Sequence, residues 1–338
     1  MPLLCRVAEN MFWLSRYVER AIAIIRVVDV TAHLELDAGD ADGAQIDFWT
    51  PLLGPTLDGP AQAEAPMPMP HDVRYYLAFD TDNPGSLVSC VRNARAAARQ
   101  VRDSISSEMW EQINTTHLML SQPEHVQDLE DDLHAFYRRV RDSLLLIQGL
   151  ADATVAHDEA YQFLAVGRYL ERADNVSRLL RLQSHLLTSS PPDGGDDTVR
   201  WLAVLRSAGS AEAYARYYSL RVEPTRVLEF LLLNGSFPQS VRYSLGAAWS
   251  ALELIAQATD EGSAPPVRAL GLLRARLEHA SVDEVIEFGL AEFLTGIQSD
   301  IGTVSERITR TYFLFAPHLG RNIAVARAAQ IMAAQQQQ

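Results

Sequence analysis

One seven-residue pattern occurs twice, and it constrains the fold more than any other feature of the chain. Ser15-Arg16-Tyr17-Val18-Glu19-Arg20-Ala21 is answered by Gly167-Arg168-Tyr169-Leu170-Glu171-Arg172-Ala173. A second pair stands at nearly the same separation: Pro84-Gly85-Ser86-Leu87 with Val91-Arg92, and Asn234-Gly235-Ser236-Phe237 with Val241-Arg242. Two matches at nearly the same offset point to a duplicated unit of about 150 residues. The spacing predicts two halves related by a pseudo-two-fold, each incomplete without the other.

Both copies lie in helical sequence. From Val7 to Ile25, Met11, Leu14, Val18, Ile22 and Ile25 recur at three- and four-residue intervals, the signature of an apolar helix stripe. The same periodicity predicts helices beginning at Asp82-Asn83-Pro84, from Ser107 to Ser121, from Glu124, and from Ala156 to about Leu187. Others follow around Trp201, Ala213, Arg226, Val241 and Leu272, and one long helix runs from Ser281 to Phe315. Breaks fall at Gly39–Gly43, in the proline-rich stretch Pro51–Pro70 and at Ser189–Asp197. A short helical piece near Phe48–Leu53 is expected to dock back. No stretch alternates with period two. The expected fold is therefore all-α: a multi-helix bundle forming one cooperative domain, with residues 1–157 as the first half and 158–320 as the second. Residues 321–338 form a C-terminal segment whose Gln335–Gln338 end reads as a disordered tail.

Composition narrows the chemistry. The formal net charge of −14 excludes a nucleic-acid backbone or an anionic membrane as the main partner. None of the 338 residues is lysine, so all 29 basic residues are arginine. A lysine Schiff base and a phosphate-loop lysine are thereby excluded, whereas fixed arginine–carboxylate networks are favoured. Two cysteines, Cys5 and Cys90, cannot build a disulfide framework; with no signal-like segment and no apolar run of about 20 residues, the chain reads as cytoplasmic with reduced, buried thiols. No cofactor motif is present. Asp131 and His134 have one ligand-like spacing, but no matching glutamate–histidine pair stands on a second helix, so no metal is expected.

On a helical wheel Glu9, Trp13, Arg16 and Arg20 share one face, opposite the apolar stripe, and Arg16 and Glu19 are spaced to pair. Arg168 and Glu171 repeat that spacing beside Tyr169, Arg172 and Asp174. Aromatic rings beside the charges imply that these faces are at least partly buried. Two readings stay open. Buried charges need partners in any case, which favours a structural ion-pair network. Alternatively Glu9, Trp13, Arg16, Glu19, Arg20, Arg168, Tyr169, Glu171, Arg172 and Asp174 converge between the halves as a binding pocket for an anionic or zwitterionic ligand.

At Arg6–Arg20, Phe79-Asp80, Asn83-Pro84, Ser104–Glu111, Gly167–Asp174, Leu205–Ala208, Phe237–Arg242 and Arg274–Glu278 the chain resembles the alpha-E domain family. Ile22 and Ala23 depart from it where Asp174 and Asn175 keep polar residues, which argues against two equivalent sites. The resemblance implies an all-helical protein working beside circularly permuted ATP-grasp proteins and transglutaminase-like proteases, in peptide modification by ATP-driven amide formation. The expected role is a non-catalytic partner or carrier subunit that binds the ligase or its peptide or amino-acid substrate. Two alternatives remain: an enzyme using Glu9, Glu19, Glu171 or Asp174 as general acid or base, or a purely structural scaffold.

Overall fold

The structure, a computed structural model, describes residues 3–38, 49, 52, 70–121, 129–184, 195–218, 221–259 and 264–314. The breaks at 39–43 and 189–194, most of the stretch 51–70, the start at Glu124 and the tail 321–338 lie outside them. Among these residues thirteen α-helices follow in chain order: α1 (Cys5–Ala38), α2 (Pro70–Ala78), α3 (Leu87–Gln100), α4 (Ser107–Ser121), α5 (Leu129–Thr154), α6 (Glu159–Leu182), α7 (Gly195–Ser207), α8 (Ala211–Tyr218), α9 (Pro224–Leu228), α10 (Val241–Ala258), α11 (Pro265–Glu278), α12 (Val282–Phe288) and α13 (Leu290–Ile308). No strand occurs among the described residues, and none of these helices is long and apolar enough to cross a membrane.

The apolar stripe explains only part of α1. Met11, Leu14, Val18, Ile22 and Ile25 are buried as expected, but so are Phe12, Ser15, Arg16, Glu19, Ala21 and Ile24. A helix buried on nearly all sides lies inside a bundle. Accordingly α1 packs on α6 across one face and on α3 and α5 across others, while α6 packs on α10 and α13. The approach of α1 to α6 is close because Gly167 has no side chain: a Cβ there would lie 2.3 Å from the Phe12 carbonyl oxygen and 2.4 Å from Ser15 Oγ. Phe12 and Phe163 meet Phe313 beyond α13, closing one end of the contact. Trp49 and Leu52, from the short piece expected to dock back, are both buried in the core.

Helix starts are set by side-chain caps. α3 begins at Leu87 instead of at Pro84, because Ser86 accepts the Ser89 N–H at 3.2 Å and is the true N-cap. Its hydroxyl donates to the Asp80 carbonyl at 2.6 Å, and the Asp80 carboxylate accepts the Asp82 N–H. The same arrangement precedes α10. Ser240 accepts the Tyr243 N–H and donates to the Asn234 carbonyl, and the Asn234 side chain accepts the Ser236 N–H. The capping residues thus align Ser86 with Ser240, four positions beyond the sequence match with Ser236.

The single helix expected from Ser281 to Phe315 is broken. Ser281 starts α12 with a reciprocal capping box with Glu284, but Gly289 adopts φ +105° and ψ 108° before α13 begins. A side chain there would be strained and would also meet the Glu292 carboxylate. Gly289→Ala is expected to destabilise the fold by about 1–3 kcal/mol, read as a lowered midpoint in urea unfolding.

Candidate functional site

The two copies of the repeated pattern face each other and exchange their charges. Glu171 on α6 accepts Arg16 Nε at 2.6 Å, Arg20 Nε at 2.6 Å and Arg20 Nη2 at 3.2 Å, all from α1. Reciprocally, Glu19 on α1 accepts Arg172 Nε at 2.7 Å and Nη2 at 3.0 Å from α6. The partners are separated by 151 and 153 positions in the two directions. Arg172–Glu19 is a forked, charge-assisted pair, the strongest geometry open to these groups. The Gln148 amide of α5 also donates to Glu19. Arg16 reaches Ser305 on α13, and Arg172 reaches the Pro238 carbonyl ahead of α10.

Burial makes this exchange tight. Glu171 is fully buried and Glu19 nearly so. Burial pushes the Glu171 carboxyl up, but Arg20 and Arg16 outweigh it and hold the group at about 2, against an ordinary 4.5. Burial acts the same way on Glu19, and Arg172 again more than offsets it, leaving that carboxyl below its usual range. Both acids stay ionised and fully hydrogen-bonded near neutral pH, so neither is suited to proton transfer. Aromatic rings brace the arginines. Arg16 lies 5.2 Å over Trp13, which stacks on Tyr17, and Arg172 lies 5.4 Å over Tyr169.

Not every residue expected to converge does so. Glu9 is exposed and forms no ion pair among the described residues, because the wheel fixes its angle while its height places it more than a turn before the exchange. Arg168 is buried but turns to α5, where it grips Asp152 through two nitrogens at 2.9 Å. Asp174 binds Arg178 one turn on, at 2.8 Å, and its other carboxylate oxygen has no hydrogen-bond partner among the described residues. Burial, with Glu171 nearby, raises its pKa despite Arg178. Ile22, the buried counterpart of Asp174 in α1, leaves that feature unmatched. The void beside the exchange, bounded by Ser15, Gln148 and Arg168, measures about 10 Å³, room for about one water and not for an amino acid.

A roomier space lies between α10 and α11. A groove of about 480 Å³ is lined by Arg242, Tyr243, Gly246, Trp249, Arg274 and Glu278, among others. Arg274 stacks 4.4 Å over Trp249 and makes only a 3.5 Å bond to Glu278. Arg242 donates to the Leu233 carbonyl and has no carboxylate partner among the described residues. Gly246 leaves the floor open, since a Cβ there would meet nothing within 4 Å, and Gly271 lets the Trp249 ring edge approach to 3.3 Å from its own Cβ position. Tyr243 also touches Tyr169, linking this groove to the charge exchange. The charge pattern on α1 and α6 gave no hint of it; the available signal was a lone tryptophan in the small-residue run Gly246-Ala247-Ala248-Trp249-Ser250.

Comparison with known proteins fits this geometry. The sequence profile of the Alpha-E family, described as a predicted alpha-helical domain with a conserved ER motif, matches residues 3–313. This chain belongs to the Alpha-E family. Two of its Glu-Arg dipeptides, Glu19-Arg20 and Glu171-Arg172, make the buried exchange, whereas a third, Glu306-Arg307, is exposed on α13. The Alpha-E chain is also similar to uncharacterized proteins of Mycobacterium bovis and Mycobacterium tuberculosis, 26% identical over 329 residues, covering 90% of this chain and 36% of each relative. It therefore spans about a third of the length of these curated relatives. No solved structure matches it.

Proposed function

We propose that this Alpha-E protein is a non-catalytic partner subunit of an ATP-grasp amide-ligase system, and that it holds an acidic peptide segment in the groove between α10 and α11. The carrying observation is a division of labour among the arginines. Arg16, Arg20 and Arg172 are consumed by Glu19 and Glu171, whereas Arg242 and Arg274 line the open groove without a buried carboxylate. A guanidinium beside an aromatic wall suits a peptide carboxylate, and Glu278 would receive an amine. The length of the mycobacterial relatives supports a module that works joined to other domains. The partner, an ATP-grasp protein and with it a transglutaminase-like protease, follows from the family resemblance. A reducing cytoplasm suits the two cysteines, of which Cys90 is buried with its thiol donating to the Gly85 carbonyl, and Cys5 only half-buried.

The same reading takes residues 1–157 and 158–320 as duplicated halves about a pseudo-two-fold. The reciprocal Glu–Arg exchange and the matching caps at Ser86 and Ser240 support it.

Calorimetric titration of the purified chain with an acidic peptide is expected to show binding that Arg242→Ala weakens by about 10- to 100-fold, the range for a lost charged hydrogen bond. Gly246→Leu, which fills the groove floor, should abolish it while leaving the thermal midpoint unchanged or higher. Mixing with the cognate ATP-grasp protein should give a complex on size exclusion. Turnover of peptide or ATP by the isolated chain would overturn the partner reading.

A further inference from the structure

We propose that Asp29, His33 and His134 form a binding site for a divalent transition metal such as zinc. Asp29 and His33 stand one turn apart on α1, and α5 brings His134 to them. Nδ1 of both rings faces the same carboxylate oxygen, at 3.1 Å from His134 and 3.6 Å from His33. The ring centroids are 3.7 Å apart, and one ligand atom from each residue lies within 4.8 Å of the others. Zinc bonds of about 2.0–2.2 Å in a tetrahedron set ligand atoms roughly 3.3–3.5 Å from each other. The two separations from the Asp29 oxygen bracket that edge and the third lies within 4.8 Å, so rotations of the side chains would complete three vertices.

The surroundings suit an open metal site. The His33 side chain is 50% exposed, His134 32% and Asp29 16%, which leaves a path for the ion and a fourth position for water. Asp29 supplies one negative charge, and the imidazoles bind as neutral ligands. His33 Nδ1 lies 2.8 Å from the Asp29 carbonyl oxygen and His134 Nδ1 3.1 Å from its carboxylate; coordination through Nδ1 would leave each ring proton on Nε2. Arg141, 3.9 Å from the second Asp29 oxygen, opposes the cation and moderates its affinity. A purely structural tie between α1 and α5 needs one imidazole on Asp29; the second, its ring tilted 40° against the first at a half-exposed position, is what the metal explains.

The test uses the full chain, freed of metal by chelator dialysis and titrated with zinc against a chromophoric chelator. One zinc per chain is expected, with affinity lowered roughly tenfold or more by His33→Ala and by His134→Ala, and unchanged by His157→Ala. Because His33 is half exposed, His33→Ala should keep the wild-type circular dichroism and melting midpoint. Cobalt substitution should give the visible bands of a four-coordinate ion, lost in the same variants. Zinc affinity undiminished in a folded His33→Ala protein, or no zinc taken up, would overturn the assignment. Both outcomes leave the groove and the ligase partnership untouched.

Discussion

Glu171→Gln is expected to lower the unfolding free energy by about 3–5 kcal/mol, because removing one partner of a buried pair strands the other charge. Here it strands two, since Arg16 and Arg20 both end on Glu171. Urea unfolding followed by circular dichroism measures the loss, with Glu9→Gln as the exposed control expected within about 0.5 kcal/mol of the parent. The double variant Glu19→Leu with Arg172→Met should cost less than either single change, since it removes the pair without orphaning a charge. The pH dependence carries the same signature. The folded-state pKa of Glu171 is depressed to about 2 from an ordinary 4.5, so its contribution is fully present above pH 4.5. It is lost as pH falls from there toward 2. The parent should therefore weaken steeply across that window, and Glu171→Gln should flatten the fall. An unaltered acid profile in the variant would show that the ion pairs do not hold the helices together.

Gly167→Ala is the second large effect. Its new methyl would lie 2.3 Å from a backbone oxygen of α1, and a backbone cannot rotate away as a side chain can. The two helices must separate or bend, and overpacking of this kind costs about 1–3 kcal/mol or more. The upper end is expected here, because separating α1 from α6 also stretches the Glu–Arg bonds one turn further along. Gly149→Ala and Gly302→Ala provide the comparison. Both sites lie within helices and a Cβ would meet nothing within 4 Å, so each should stabilise by up to about 1 kcal/mol through helix propensity. A Gly167→Ala protein as stable as these controls would refute the close packing of the two helices.

The contrast between what could be read from the sequence and what could not follows the kind of information a sequence holds. The repeated Arg-Tyr-x-Glu-Arg run gave the two central helices and most of the residues that meet. Helical periodicity gives angle around an axis, which set Arg16 and Arg20 on the face opposite the apolar stripe; the aromatic rings beside them supplied the expectation of partial burial. Periodicity gives no height against a neighbour, which is why Glu9 was grouped with them. Nor does it tell whether opposite charges leave a gap or close on each other; that depends on the approach distance set by Gly167. The groove at Trp249 joins α10 to α11, and no local pattern encodes that pairing. Asp29 and His33 were within reach. Their one-turn spacing is plain once α1 is seen to run to Ala38, but the apolar pattern was traced only as far as Ile25.

The criss-cross of Glu19 with Arg172 and Arg20 with Glu171 bears on what would happen if the polypeptide were cut between α1 and α6. Each fragment would expose an acid and a base arranged as a mould of the other's, and therefore, because the two dipeptides are alike, nearly a mould of its own. Such a fragment has every electrostatic reason to dimerise with its twin. Carrying both dipeptides on one chain replaces that encounter between separate molecules with one that is independent of concentration.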